Sequence, residues 1–242
     1  MRTCIKPLLF LLAFTSGCAE HSTLDYADPE QGIGHSQSPV NIVTADAQPD
    51  QQNNVVANFE ASFASAENLG HTVELKFAKG STATIEGQKC TARQLHFHTP
   101  SEHLIDGLTY PMEMHIVSTV KDSNEEKEPT YFVIGVLFKM GLENPFLKEF
   151  QHFVPAEPGE RFLDSGDVKM KDLLTLLVAD HALSCFTYHG SLTTAPYSEN
   201  VHWIVLNHPL EASPAQIMAI EKLEGNNNRH VQSLYDRHIA MH

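Results

Sequence analysis

Gln94-Leu95-His96-Phe97-His98-Thr99-Pro100-Ser101-Glu102-His103, answered shortly afterwards by Glu113-Met114-His115-Ile116-Val117, is the stretch that decides the fold. In a β-strand successive side chains point to opposite faces, so Gln94, His96 and His98 share one face while Leu95 and Phe97 share the other. Met114 and Ile116 alternate with Glu113, His115 and Val117, which makes the second stretch another strand. If the two strands are antiparallel neighbours, three imidazoles meet at one point. Three histidines with the fourth position left open form the ligand set of a catalytic zinc, because a structural zinc is closed by a fourth protein ligand.

Outward from this pair the chain reads as strand after strand. Val55 to Phe63, His71 to Phe77 and Ser81 to Ile85 are short alternating runs separated by turn residues. Tyr131 to Phe138 is continuously apolar, as expected of a strand buried on both faces. The fold class is therefore mostly β, with one large, mainly antiparallel sheet and a few short peripheral helices. Asn144-Pro145 opens a helix to Phe150, Ser213-Pro214 opens another to Leu223, and leucine spacing predicts a third between Asp167 or Lys169 and Ala182.

The chain has 242 residues, enough for one domain with a substantial core. Arg2 and Lys6 precede the apolar run Leu8 to Phe14 and the small residues Ser16-Gly17-Cys18-Ala19, the layout of a secretory signal over 1–19 ahead of a single domain over 20–242. Thr15-Ser16-Gly17-Cys18 also resembles a bacterial lipobox, in which Cys18 is lipidated. The expectation is an exported, periplasmic protein, either free or anchored through lipid on Cys18. A net charge of −14, made more acidic by removal of the leader, argues against nucleic acid as a partner. Of four cysteines, Cys90 and Cys185 remain in the mature domain, and their pairing depends on a distance that sequence does not supply.

The six motifs Gln37 to Ile42, Asn68 to His71, Gln94 to His103, Glu113 to Val117, Tyr188 to Pro196 and Trp203 to Leu206 together resemble, in order, the α-class carbonic anhydrases of bacteria. The resemblance implies a twisted central sheet with zinc in a conical cleft. It also implies reversible hydration of CO2 to bicarbonate and a proton by attack of zinc-bound hydroxide. His96, His98 and His115 match the zinc ligands. Gln94 and Glu113, each two residues before a ligand and on its face, match the residues that hold the ligands' second nitrogens. Thr193 matches the threonine that accepts a hydrogen bond from the nucleophile, and Glu102 its acceptor; Tyr188 and Thr194 support that network. Val117, Val133, Leu192, Val201 and Trp203, with Thr194, match the substrate pocket, and His71 matches the histidine that passes the proton to buffer.

The sequence also departs from the family. Ala195 stands where a proline usually follows the two threonines, and Tyr197-Ser198 occupies the place of the cysteine that secreted bacterial members bridge to one near the N-terminus. That bridge is therefore expected to be absent. Two other readings of the histidines are a catalytically inactive carbonic-anhydrase-like binding domain and a periplasmic protein binding several zinc ions through its 15 histidines. The presence of ligands, their supporting residues and the threonine–glutamate pair together favours the enzyme. CO2 or bicarbonate is the expected small-molecule partner, and a homodimer is compatible with the resemblance.

Overall fold

Two opposed hydrophobic layers on one curtain of strands organise the protein, whose computed structural model describes residues 34–50, 55–120, 129–163 and 184–242. In chain order the elements are β1 (Asn41–Ile42), β2 (Gln48–Pro49), β3 (Ala57–Glu60), β4 (Phe63–Asn68), β5 (Val73–Phe77), β6 (Thr82–Ile85) and β7 (Gln88–His98). There follow β8 (Leu104–Ile105), β9 (Leu108–Thr109), β10 (Met112–Val120), β11 (Thr130–Met140), α1 (Pro145–Phe153) and β12 (Arg161–Leu163). The last are β13 (Cys185–Gly190), β14 (Val201–Leu206), β15 (Leu210–Ala212), α2 (Pro214–Glu224) and β16 (Ala240–Met241). The main sheet runs β12-β4-β5-β7-β10-β11-β14-β13-β16-β2, with β3 and β6 beside β7 and β15 beside β11. Its centre is antiparallel from β5 to β11, and β11 then pairs with β14 in parallel.

Alternation along the strands sorts side chains between the layers. Leu95, Phe97, Met114, Ile116, Ile134 and Ile204 join Phe146 and Phe150 of α1 and Ile217 and Ile220 of α2 on one face. Val117, Val133, Leu137, Phe186, Tyr188 and Trp203 pack on the other. The continuous apolar run in β11 is explained by this arrangement, since both of its faces are covered. Phe97 is fully buried, with its ring 4.8 Å from that of Phe150; burial of one such side chain contributes about 1.5–3 kcal/mol.

Both described helices begin where expected. Asn144 Oδ1 accepts from the Leu147 N–H, and Ser213 forms a capping box with Gln216. The two caps also interlock, because the Gln216 side chain accepts from Asn144 N at 2.9 Å and donates to Asn144 O at 2.8 Å. The helix expected before Ala182 lies outside the described residues. Val55 to Phe63 is not one strand: β3 pairs with β6 and β4 with β5, so the chain breaks where it changes partner. Cys90 and Cys185 are both buried and free, so the domain is held by packing without a bridge between them.

Candidate metal centre

β7 and β10 are antiparallel neighbours, with His96 directly opposite His115 and His98 opposite Glu113. The predicted convergence of imidazoles follows from that register. Ligand nitrogens of His96, His98 and His115 all lie within 4.8 Å of one another. The ring centroids are separated by 4.9 Å (His96–His98), 5.2 Å (His96–His115) and 4.6 Å (His98–His115).

Hydrogen bonding leaves one bare nitrogen on His96 and one on His115 to face the centre. His96 Nδ1–H donates to Gln94 Oε1 at 2.8 Å, so its Nε2 carries a lone pair. His115 Nε2–H donates to Glu113 Oε1 at 2.9 Å, which leaves Nδ1 bare. Neither nitrogen of the 3% exposed His98 has a hydrogen-bond partner. An imidazole buried without partners is costly unless something occupies its lone pair. Burial holds all three rings neutral: His96 is pushed well below the ordinary histidine range, His98 down to about 4, and His115 down against the pull of Glu113. Neutral nitrogens at tetrahedral reach fit zinc.

Glu113 anchors the centre. It is fully buried, and Oε2 accepts from the backbone N–H groups of Glu102 (2.9 Å) and His103 (2.8 Å) while Oε1 takes His103 Nδ1 (2.7 Å) and His115. Burial alone would raise its pKa, but His103 and His115 outweigh that and hold the carboxyl well below the usual range. His103 Nε2 lies 2.6 Å from Tyr188 Oη, which donates to Ser38 Oγ at 3.0 Å. Tyr188 therefore meets the metal-site glutamate only through His103. His103 was present in the quoted stretch without an assigned role; the chain leaves β7 at His98 and turns back, which brings it beneath Glu113.

Glu102 accepts from the Arg229 N–H at 2.9 Å through Oε1. Burial raises its pKa to about 7, opposed by His115, by the Arg229 N–H and more weakly by the Thr193 hydroxyl. The Thr193 bond is not fully closed, because Oε2 has no partner at hydrogen-bonding geometry. Thr193 is half-buried and Thr194 exposed, in a turn closed by Tyr197 N–H to Thr194 O (2.9 Å) and Leu192 N–H to Ser198 O (3.0 Å).

The apolar residues continue the face that carries His115. Val117 pairs with Val133 across β10 and β11, and Val133 with Trp203 across β11 and β14. Trp203 lies 4.8 Å from His115 and donates its indole N–H to Ser191 O at 3.0 Å. Val201 is buried in the same layer and Leu192 packs against it. His71 is exposed, near enough to His96 that its charge opposes protonation there, and its carbonyl accepts from Asn227 Nδ2 at 2.9 Å.

A mainly antiparallel sheet that gathers three neutral histidines beside an apolar wall defines a mononuclear zinc enzyme. The sequence profile of the eukaryotic-type carbonic anhydrases matches residues 24–242. A carbonic anhydrase of Nostoc sp. is 35% identical over 209 residues, covering 85% of this chain and 75% of its own length. One from Neisseria gonorrhoeae is 35% identical over 84% of this chain and 76% of its own. The α-carbonic anhydrase of Thermovibrio ammonificans, solved in complex with the inhibitor sulfanilamide, superposes with a TM-score of 0.76 at 35% identity, covering 86% of this chain and 88% of that one. The chain belongs to the α-class, or eukaryotic-type, carbonic anhydrases, and its three-histidine cluster is consistent with the zinc site for CO2 hydration of that class.

Proposed function

We propose that the individual residues divide the hydration reaction as follows, the observation that carries the scheme being three neutral imidazoles, His98 and His115 buried and His96 half-buried, with bare nitrogens gathered at one point. His96, His98 and His115 would hold zinc, with Nε2 of His96 and Nδ1 of His115 the nitrogens that their hydrogen bonds leave bare. Zinc held by three histidines lowers the pKa of water to about 7, a value known for carbonic anhydrases as a class, and so supplies a nucleophile near neutrality. Gln94 and Glu113 fix the tautomers of His96 and His115. Thr193 directs its proton to Glu102, so its oxygen can only accept from the reacting oxygen, which orients the remaining lone pair toward carbon. Val117, Val133, Leu192, Val201 and Trp203 give CO2 an apolar wall that offers it no competing polar contact, with Thr194 at the exposed margin.

The test is stopped-flow CO2 hydration on the purified protein before chelation, after chelation and after zinc is restored. Fast hydration that vanishes and returns with the metal is expected; zinc bound without hydration above buffer would favour a binding domain.

His71 takes the released proton to buffer, a role suited to an imidazole that sits exposed beside His96. His71→Ala is expected to lower turnover several-fold in weak buffer, with recovery in a bulky imidazole buffer. Turnover that does not change in weak buffer would remove His71 from the scheme.

The leader over 1–19 supports export to the periplasm, with lipid on Cys18 as the mode of any anchoring. Membrane-extracted protein would carry a diacylglyceryl mass on Cys18. No feature of the described residues selects a homodimer.

A further inference from the structure

Glu224, the last residue of α2, is 5% exposed and more than a hundred residues distant in sequence from both groups it touches. Its Oε2 accepts from the Val73 N–H at 3.3 Å, and its Oε1 lies 3.3 Å from Thr99 Oγ1. Thr99 Oγ1 is also 2.8 Å from Gly225 O. A carbonyl can only accept, so the single threonine proton goes to Gly225. The contact with Glu224 can then be a hydrogen bond only if Oε1 carries a proton and donates it to Thr99.

The surroundings agree with a neutral carboxyl. Glu224 stands at the C-terminal, negative end of a helix, where a carboxylate is disfavoured. Titratable groups on the neighbouring elements are Glu221 and Lys222 on α2, Lys148, Glu149 and His152 on α1, and Glu74 and Lys76 on β5. His96 and His98 on β7, His71 before β5, and Arg229 after α2 complete the set. None makes an ion pair or hydrogen bond with Glu224; Lys76 turns to Glu67, and Arg229 to Gln37 and Ser38. Burial raises the Glu224 pKa to about 9, against the opposing pull of the Val73 N–H.

Immediately beyond Glu224 the chain turns at Gly225, whose φ of 66° favours glycine, and enters the segment that braces the metal centre. Asn227 accepts from Thr99 N at 3.0 Å and donates to the carbonyls of His71 and Phe97, and Arg229 N–H donates to Glu102. We propose that Glu224 is a positioning residue that acts as a neutral acid, locking the end of α2 to Thr99 and β5 and so setting residues 225–229 against the strand that ends in His98. The link to zinc retention rests on the function proposed above; the protonation state does not.

Glutamine reproduces a protonated glutamate, with its oxygen accepting from Val73 and its amide donating to Thr99. A carboxyl that is neutral when folded but ionised when unfolded makes stability fall as pH rises from the unfolded pKa toward the folded one. Thermal and urea unfolding of zinc-loaded wild type and Glu224→Gln between pH 5 and pH 8 reads this directly. The wild-type unfolding constant should climb relative to the variant by up to about tenfold per pH unit. The variant should melt several degrees above wild type at pH 8, the two converging toward pH 5. Glu224→Ala, which cannot bridge to Thr99, should release zinc to a chelator several-fold faster than wild type, while Glu224→Gln releases it at the wild-type rate. A Gln variant less stable than wild type at pH 8 with a parallel pH profile would show an ionised carboxylate and overturn the proposal. So would an Ala variant that keeps zinc as wild type does. Should wild type hold no zinc at all, the functional reading fails, and the pH comparison still reports the proton on Glu224.

Discussion

His98→Ala is expected to lose zinc on dialysis and to hydrate CO2 no faster than buffer, a fall on the order of 10³-fold or more, given that zinc shifts the pKa of water from about 15.7 to about 7. The position is chosen because of what surrounds it. Neither His98 nitrogen is at hydrogen-bonding geometry with a protein group, the Glu102 carboxylate standing 3.6 Å from Nδ1, so truncation breaks no direct hydrogen bond. The cost to the fold is a cavity alone, about 1–3 kcal/mol for an imidazole-sized void that partly collapses. Circular dichroism should remain native while metal content and activity disappear together. The substitution also separates two clusters that share His115, because His103, Glu113 and His115 stand within the same 4.8 Å and do not include His98. Zinc retained in His98→Ala would place the ion in that second group and refute the three-histidine centre.

Glu113→Ala should damage both the metal site and the fold. The carboxylate satisfies two backbone N–H groups and two imidazoles, all buried. Its removal leaves four donors without an acceptor, a cost of about 3–5 kcal/mol of the kind seen when one partner of a buried ionic network is deleted. A domain of this size then melts about 6–20 °C lower. Zinc affinity should drop about 10–100-fold because His115 loses the partner that fixes its tautomer. Glu113→Gln separates the two effects. Its amide oxygen can still serve the backbone, but its NH2 faces N–H groups, so zinc weakens even where much of the stability returns. Calorimetric melting and competition with a chromophoric chelator measure the pair, and a Gln variant with wild-type affinity would sink the assigned role.

The strand pair at the heart of the site was legible because its information is local. Alternation placed His96 and His98 on one face, and the two-residue offsets of Gln94 and Glu113 put each beside its imidazole. Helix starts at Asn144 and Ser213 were equally readable, since a cap and a following proline lie within one turn. The groups that complete the site carry no such period. Ser38, Arg229 and Asn227 reach it across long stretches of chain, and each looks like an ordinary polar residue until the sheet is assembled. His103 carried no assigned role in the sequence for a related reason: only the reversal after His98 brings it to Glu113. The split of Val55 to Phe63 into β3 and β4 was hidden because alternation records which face a residue occupies and not which strand it pairs with.

The parallel pairing of β11 with β14 separates the protein's two capacities in the order in which they can be assembled. An antiparallel neighbour needs only a short reversal, so the three imidazoles are brought together by chain lying between His96 and His115. A parallel neighbour requires a crossover, here from Met140 to Val201, and Trp203 cannot reach Val133 until that long excursion has closed. Loop closure over such a span is entropically slower than pairing of adjacent strands. Pairing of β7 with β10 alone thus suffices to gather the three imidazoles, whereas the contact of Val133 with Trp203 waits on closure of the long crossover.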